Sequence, residues 1–352
     1  MRQRKNYAAV DNFRLIAALL IVAIHTAPLA SFSDSADFLV TYCFARVAVP
    51  FFLMVTGYFV LAPYQRTIRE RGFFQRRMKP ESSASVQRFL KKTAALYVIS
   101  TLLYLPLKIY AGNISHTIGE WLKEFFFDGT FYHLWYLPAV LTGCLLLILL
   151  LQFCSPFVIS ILVFALYVIG VLGDSYYNLV SQVPVLKMAY EGIFQISSYT
   201  RNGIFFAPVF LWMGVVLANG GVKLSLKAAA SGFGVSMAAM LAEGFLSYSL
   251  EWQKHNSMYF LLIPVMFYLF ELLLFAEVPK MEIARDLSMY VYILHPLSIV
   301  LVRGVATPLK MKSLLVEQSL IHYLAVVAVT VLLSLVLVSV KRLSSGRYLD
   351  AG

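Results

Sequence analysis

DNFRLIAALLIVAIHTAP, residues 11–28, is an apolar run that carries Arg14 at its entrance and His25 close to its exit. Lipid rejects both side chains unless they face a protein interior or snorkel to the interface. At ~1.5 Å per residue, the eleven-residue step from Arg14 to His25 covers roughly 16 Å, about half of a hydrocarbon core. This places Arg14 near one interface and His25 past the midplane. Eleven residues is also close to three turns, so the two side chains share a face and can line one interior channel. Taken singly, Arg14 reads equally well as a snorkelling residue, whereas for His25 a bond to a neighbouring helix is the weaker reading beside a functional one. Taken as a pair, they mark the span around which the rest of the chain is organised.

With 352 residues, 60% hydrophobic side chains, 13% charged ones and a mean hydropathy of +0.76, the chain is no ordinary soluble globule. Long continuous apolar runs imply an all-α polytopic membrane bundle, not the alternating strands of an outer-membrane barrel. Ten spans are expected, at roughly 14–31, 38–62, 93–111, 133–153, 156–173, 201–219, 228–250, 258–276, 287–306 and 319–340. The small residues Ala27, Pro28, Leu29 and Ala30 imitate a signal-peptide cleavage site. Arg14, His25 and the many later spans instead point to an uncleaved first helix. One membrane domain is expected to fill residues 1–352, since the tail SSGRYLDAG is short and polar.

A cytoplasmic N-terminus places 20 of the 29 Lys and Arg residues on the cytoplasmic side, so the positive-inside rule puts both termini there. Nine of them crowd the 63–92 loop beside Glu70 and Glu81, with Phe73 and Phe74 as interfacial anchors. The plain reading of this loop is a topology signal lying on anionic lipid; the sharper one is that it attracts a polyanionic cytosolic donor. The net charge of +11 is thus divided among short loops and does not argue for a nucleic-acid partner. Cys43, Cys144 and Cys154 form no CxxC pair and suggest neither a metal site nor a disulfide framework.

Further polar groups recur toward the outer half of the spans. Arg46 lies about eight residues, ~12 Å, down the second helix. His133, Trp135 and Tyr136 open the fourth helix in YHLWYLP, and Arg201 opens the sixth in TRNGIFF. Tyr292 and His295 lie in YVYILHPL, where Pro296 frees a backbone carbonyl. Each alone reads as an interfacial or structural residue, but with His25 they suggest the walls of a polar cavity. Glu243 and Glu271 read first as structural ion partners and second as proton relays. There is no HExxH, P-loop or GxSxG, so hydrolase, metalloprotease and ATPase chemistry lack their carriers. A histidine in a water-poor cavity suits general-base work on an attacking hydroxyl, with arginines beside it to hold an anion or an oxyanion.

The ordered set DNFR followed by ten residues and His25, then RVAVPFF at 46–52 with Gly57-Tyr58, HLWYLP at 133–138 and YILHP at 292–296, resembles the acyltransferase-3 family of integral membrane O-acyltransferases. The resemblance covers essentially the whole chain. It implies ten core helices and transfer of an acyl group, commonly acetyl from cytosolic acetyl-CoA, to a hydroxyl of an extracytoplasmic glycan, lipid or small molecule. It also implies that Arg14 and His25 are the catalytic pair, with no metal required. Arg46, His133, Trp135, Tyr136, Arg201, Tyr292 and His295 are expected to bind or orient substrate. Within the family, the wording is most similar to the membrane half of VanT-type serine racemases. That likeness implies a rival role, carriage of L-serine or a similar small molecule for a partner racemase, in which the arginines grip a carboxylate and His25 serves binding or proton coupling. A bacterial inner or plasma membrane is the expected location on either reading.

Overall fold

Pro28 cannot continue a helix, and the residue before a proline is disfavoured in the α region. The first helix therefore stops early: α1 runs over Ala8–Thr26, and Ala27 turns into the left-handed region at φ 49° while its N–H closes on the Ala23 carbonyl. In this computed structural model, which describes residues 7–70, 83–220 and 224–344, the span thus begins and ends several residues before the expected 14–31. Arg14 lies in the second turn and His25 in the last.

The helical run α2, Asp34–Arg69, is not uniform. It contains a π segment at Phe38–Cys43, a 3-10 segment at Phe44–Val47 and a second π segment at Gly57–Leu61. Long helices follow: α3 Ser83–Tyr110, α4 Tyr136–Phe153 and α5 Pro156–Gly173. After them come an amphipathic α6 Pro184–Ile196, α7 Ala207–Ala218, α8 Leu226–Ser249, α9 Leu262–Phe275, α10 Ala284–Ala306 and α11 Ser319–Ser344. No strand occurs among the described residues. Eight of these helices are long and apolar enough to cross a membrane. The spans expected at 201–219 and 258–276 are shorter, with 12 residues in α7 and 14 in α9, or ~18 and ~21 Å of rise. In both cases the missing turns are drawn into loops by polar side chains: Asn202 ahead of α7, and Glu243 ahead of α9.

Four of the nine basic residues of the 63–92 segment, Arg71, Arg76, Arg77 and Lys79, lie with Phe73 and Phe74 outside the described residues. Its flanks are helical, at Ala62–Glu70 and from Ser83 onward.

The chain divides into two compact units: Met1–Val49 with Ser225–Leu241 and Pro264–Gly352, and Pro50–Leu224 with Ala242–Ile263. In the first, α1 packs on α10 and α11 through Ala18, Val22, Leu287, Val291, Ile299, Val302 and Val326. Lipid tails are as apolar as these side chains, so close packing and small residues hold such helices together. Ala17 and Ala18, both fully buried, give α1 that close approach.

In the second unit, α7 is the buried centre. A Cβ on Gly57 would stand 1.9 Å from the Leu211 carbonyl oxygen, and one on Gly214 would stand 2.2 Å from the Met54 oxygen. The two backbones therefore touch where glycine leaves room. Trp212 donates its indole N–H to the Ser160 hydroxyl at 2.8 Å, and the Tyr167 hydroxyl donates to the Tyr259 carbonyl at 2.7 Å, so the polar atoms of these aromatics are satisfied.

Candidate functional site

In the first unit, the DNFR motif is an anchor. The Asp11 carboxylate accepts from Arg14 Nε at 3.1 Å and lies 3.4 Å from Arg285. Asn12 clamps the same region from both ends of its amide, donating to the Pro279 carbonyl at 2.8 Å and accepting from the Met281 N–H at 3.0 Å. Arg14 is thus held at the foot of α1 by a carboxylate three residues earlier, eleven residues from His25. Neither anchor had been singled out in the sequence, although both stand in the quoted motif.

At the other end of α1, His25 stacks on His295 of α10, with ring centroids 5.2 Å apart and planes inclined at 21°. His295 is completely buried, while His25 is half-buried. Pro296 explains how His295 is held. With no N–H at 296, the carbonyl of residue 292 loses its intrahelical donor. His295 Nδ1 fills that vacancy, 2.8 Å from the Tyr292 oxygen and 3.3 Å from that of Val291. Carbonyl oxygens only accept, so Nδ1 carries the proton and Nε2 bears the lone pair. The sequence expectation of a freed carbonyl at Pro296 is met, and its consequence is a fixed histidine tautomer. Tyr292 is buried, its ring centroid 6.4 Å from that of His295. Arg46, also buried, sits in the 3-10 segment of α2 with its guanidinium carbon 5.1 Å from the centre of the Tyr42 ring.

The second unit holds the remaining expected residues in three settings, and only Trp135 and Arg201 are brought together. His133, 2% exposed, is boxed by Tyr104, Phe131 and Tyr132, with ring centroids 4.9, 5.7 and 5.6 Å away. Trp135 belongs instead with Arg201, whose guanidinium lies 5.2 Å from the Trp135 ring and 4.1 Å from that of Tyr199. Arg201 also donates from Nη1 to the Ser257 hydroxyl at 3.0 Å. Tyr136 opens α4, its ring 6.2 Å from Phe52. Asn202 shapes the approach to α7: its side-chain oxygen accepts from the N–H groups of Ile204 and Phe205 at 2.9 and 3.1 Å. This is a local turn that the Thr-Arg-Asn-Gly sequence signals.

Among the described residues Glu243 forms no ion pair with a Lys or Arg. Its carboxylate accepts from the Tyr176 hydroxyl at 2.8 Å and from the N–H groups of Phe260 and Leu261 at 2.7 and 2.9 Å. It therefore caps the chain entering α9. Asp174 was also not foreseen. Fully buried after α5, it accepts from the N–H groups of Ser257 and Met258 at 2.6 and 3.0 Å. An acidic residue directly after an apolar run is the only local sign of this.

Chemically, the first unit presents an imidazole pair in which one member has its tautomer fixed by backbone. The fixed tautomer orients the rings, so that a nitrogen of the pair can be aimed at a hydroxyl proton within hydrogen-bond reach, as general-base work requires.

Three curated relatives align along nearly the whole chain. Two proteins of Enterococcus faecalis named amino-acid racemase are 37% and 38% identical over 96% and 97% of this chain. A serine/alanine racemase of Enterococcus gallinarum is 36% identical over 92% of it. The chain spans about half the length of these relatives, 44–47% of each. No solved structure matches. The model of the acyltransferase domain matches residues 7–339. A multi-pass helical chain matched from its first described residue almost to its last belongs to the acyltransferase-3 family.

Proposed function

We propose that this chain is a membrane O-acyltransferase that moves an acyl group, acetyl in the simplest case, from cytosolic acyl-CoA to a hydroxyl on the opposite side of a bacterial inner or plasma membrane. Both termini face the cytoplasm on this reading. The observation that carries it is the stacked His25–His295 pair within a family domain that covers the chain. His25 takes the proton of the acceptor hydroxyl as its oxygen attacks the thioester carbonyl. The carbon–sulfur bond then breaks, His25 returns the proton to the departing sulfur, and CoA leaves as the thiol. His295 keeps the pair in register through its Nδ1–H bond to Tyr292. Arg14, with the basic segment that follows α2, meets the phosphates of the donor. Arg46 and Arg201 serve anionic groups of the acceptor or the developing oxyanion, and His133, Trp135, Tyr136 and Tyr292 shape the path.

A second reading rests on the racemase names and double length of the relatives. There the chain carries L-serine or a similar small molecule for a partner racemase. The two readings separate on one assay. Purified protein in liposomes is given acetyl-CoA with and without cell-envelope extract, and free CoA is followed for the wild type and His25→Ala. Release that needs both His25 and the extract supports acyl transfer. No release from folded protein, together with uptake of labelled serine in the absence of a donor, moves the function to the carrier.

A further inference from the structure

The loop joining α8 to α9 carries buried polar atoms that no fold requirement explains. Its backbone is drawn over Asp174: the Asp174 carbonyl accepts from the Lys254 N–H at 2.9 Å, and the carboxylate accepts from Ser257 and Met258. This wrapping presents the side chains of residues 253–257 in a fixed turn. Three of them, Gln253 Oε1, His255 Nε2 and Asn256 Oδ1, are buried atoms with no hydrogen-bond partner among the described residues. Leaving such atoms unsatisfied is costly, so three in four residues call for a ligand or solvent to complete them.

The surroundings state what that ligand is. The His255 ring stands 4.4 Å from that of Tyr199, on which the Arg201 guanidinium also lies, and Arg201 reaches Ser257. A cation therefore sits one aromatic ring away from an imidazole with an open lone pair. The other charged groups of the neighbourhood are accounted for. Lys254 turns its ammonium onto the rings of Phe194 and Tyr177, and Lys123 donates to the Phe194 carbonyl. Asp128 accepts from the Ser198 N–H, and Asp174 holds the loop itself. Burial, followed by the positive charges of Arg201 and Lys254, holds His255 down to about 4, against a hydrogen bond to the Ser198 backbone that works the other way. An anion placed beside Arg201 offsets that repulsion and lets Nε2 take a proton from solvent, becoming a donor to the same anion. The amide oxygens of Gln253 and Asn256 then accept from hydroxyl groups next to the anion.

We propose that Arg201 and the 253–257 turn form a binding site for a small water-soluble molecule that carries an oxyanion beside hydroxyl groups, with His255 as its proton-linked partner. Carboxylate and phosphate share the chemistry that Arg201 and His255 offer. The site lies within the second unit and deepens the anion-binding role given to Arg201 above; because binding is read without any acyl donor, its failure and a failure of acyl transfer are distinguishable.

The test uses ¹⁵N-histidine-labelled protein in nanodiscs of zwitterionic lipid at pH 6, with the His255 signal identified by its loss in His255→Gln. Glycerate is the probe, propionate its counterpart without hydroxyls, glycerol 3-phosphate the phosphate arm, and chloride at equal ionic strength the control. Glycerate or glycerol 3-phosphate should convert His255 to its protonated form at a half-saturating concentration at least tenfold below that of propionate, with chloride silent. Arg201→Gln should raise that concentration at least tenfold while the other histidine signals stay in place. Equal response to glycerate and propionate, no response, or a response only when phosphatidylglycerol is added to the discs would overturn the proposal. The comparison of probes on the wild type decides the matter even where the variant fails to fold.

Discussion

His25 and His295 lie ring over ring, 5.2 Å between centroids, on two helices that pack through Ala18, Val22, Leu287 and Val291. His25→Gln keeps the shape and a polar tip but removes the base. CoA release should fall by about 10²-fold or more, while membrane insertion and the thermal melting point stay at wild-type values. Wild-type turnover in this variant would remove His25 from the chemistry.

Pro296→Ala restores an N–H that competes with His295 for the Tyr292 carbonyl. A helix gains regularity from the change, so the protein should melt at the same temperature or higher. The fixed tautomer should be lost. The expected result is a drop in kcat of about tenfold at nearly constant KM, read beside a His295 ring signal that shifts toward a mixture of tautomers. A fall in melting temperature in step with activity would show instead that Pro296 serves the fold.

Gly57→Ala drives a methyl into the Leu211 carbonyl oxygen of α7, a backbone atom that cannot swing aside. The helices must part, at a cost of about 1–3 kcal/mol or more. Gly192→Ala, in α6, where an added Cβ meets nothing within 4 Å, is the matched control and should leave the melting temperature unchanged or slightly raised. Equal melting of the two variants would contradict the close backbone contact.

The depressed His255 also gives the stability a pH dependence. Folded His255 titrates near 4, and an unfolded histidine near 6.5. Between those values the unfolded chain binds the extra proton, so stability is full above about pH 6.5 and declines as the pH falls toward 4. His255→Gln should flatten that part of the profile in detergent-solubilised protein, measured without added anion. A profile with the same slope in both proteins would place the cause elsewhere.

What the sequence made legible is the part that depends on neighbours in the chain. Apolar runs located the helices, and Pro296 announced a freed carbonyl one turn before it. The stop of α1 was also written in Ala27-Pro28, although the run of small residues beyond it concealed the boundary. The shortening of α7 and α9 was less legible, because an apolar run reads as a span whether or not its first turn is pulled into a loop. Glu243 read as a buried charge in need of an arginine. Its actual partners are backbone N–H groups of residues 260 and 261, which carry no side-chain signature. Asp174 escaped for the same reason, since its partners lie more than eighty residues ahead. Asp11 and Asn12 were quoted as letters of a motif, and only the fold reveals that they tether α1 to the 279–285 segment.

The mixed winding of α2 has a consequence for how the sequence can vary. A π turn holds more residues than an α turn, and a 3-10 turn holds fewer. The segment Phe38–Cys43 therefore stores surplus chain length immediately before Arg46, and Gly57–Leu61 stores more after it. Removing one residue between Leu39 and Thr41 would relax the π segment into ordinary α-helix and leave Arg46 and everything downstream facing as before. Removing one from Ala48–Thr56, where there is no slack, would rotate each following side chain by about 100°. A deletion scan along α2 should accordingly find tolerance in two islands and loss of folded protein between them: this helix has room for length changes where its hydrogen-bond ladder is already irregular, and none where it is regular.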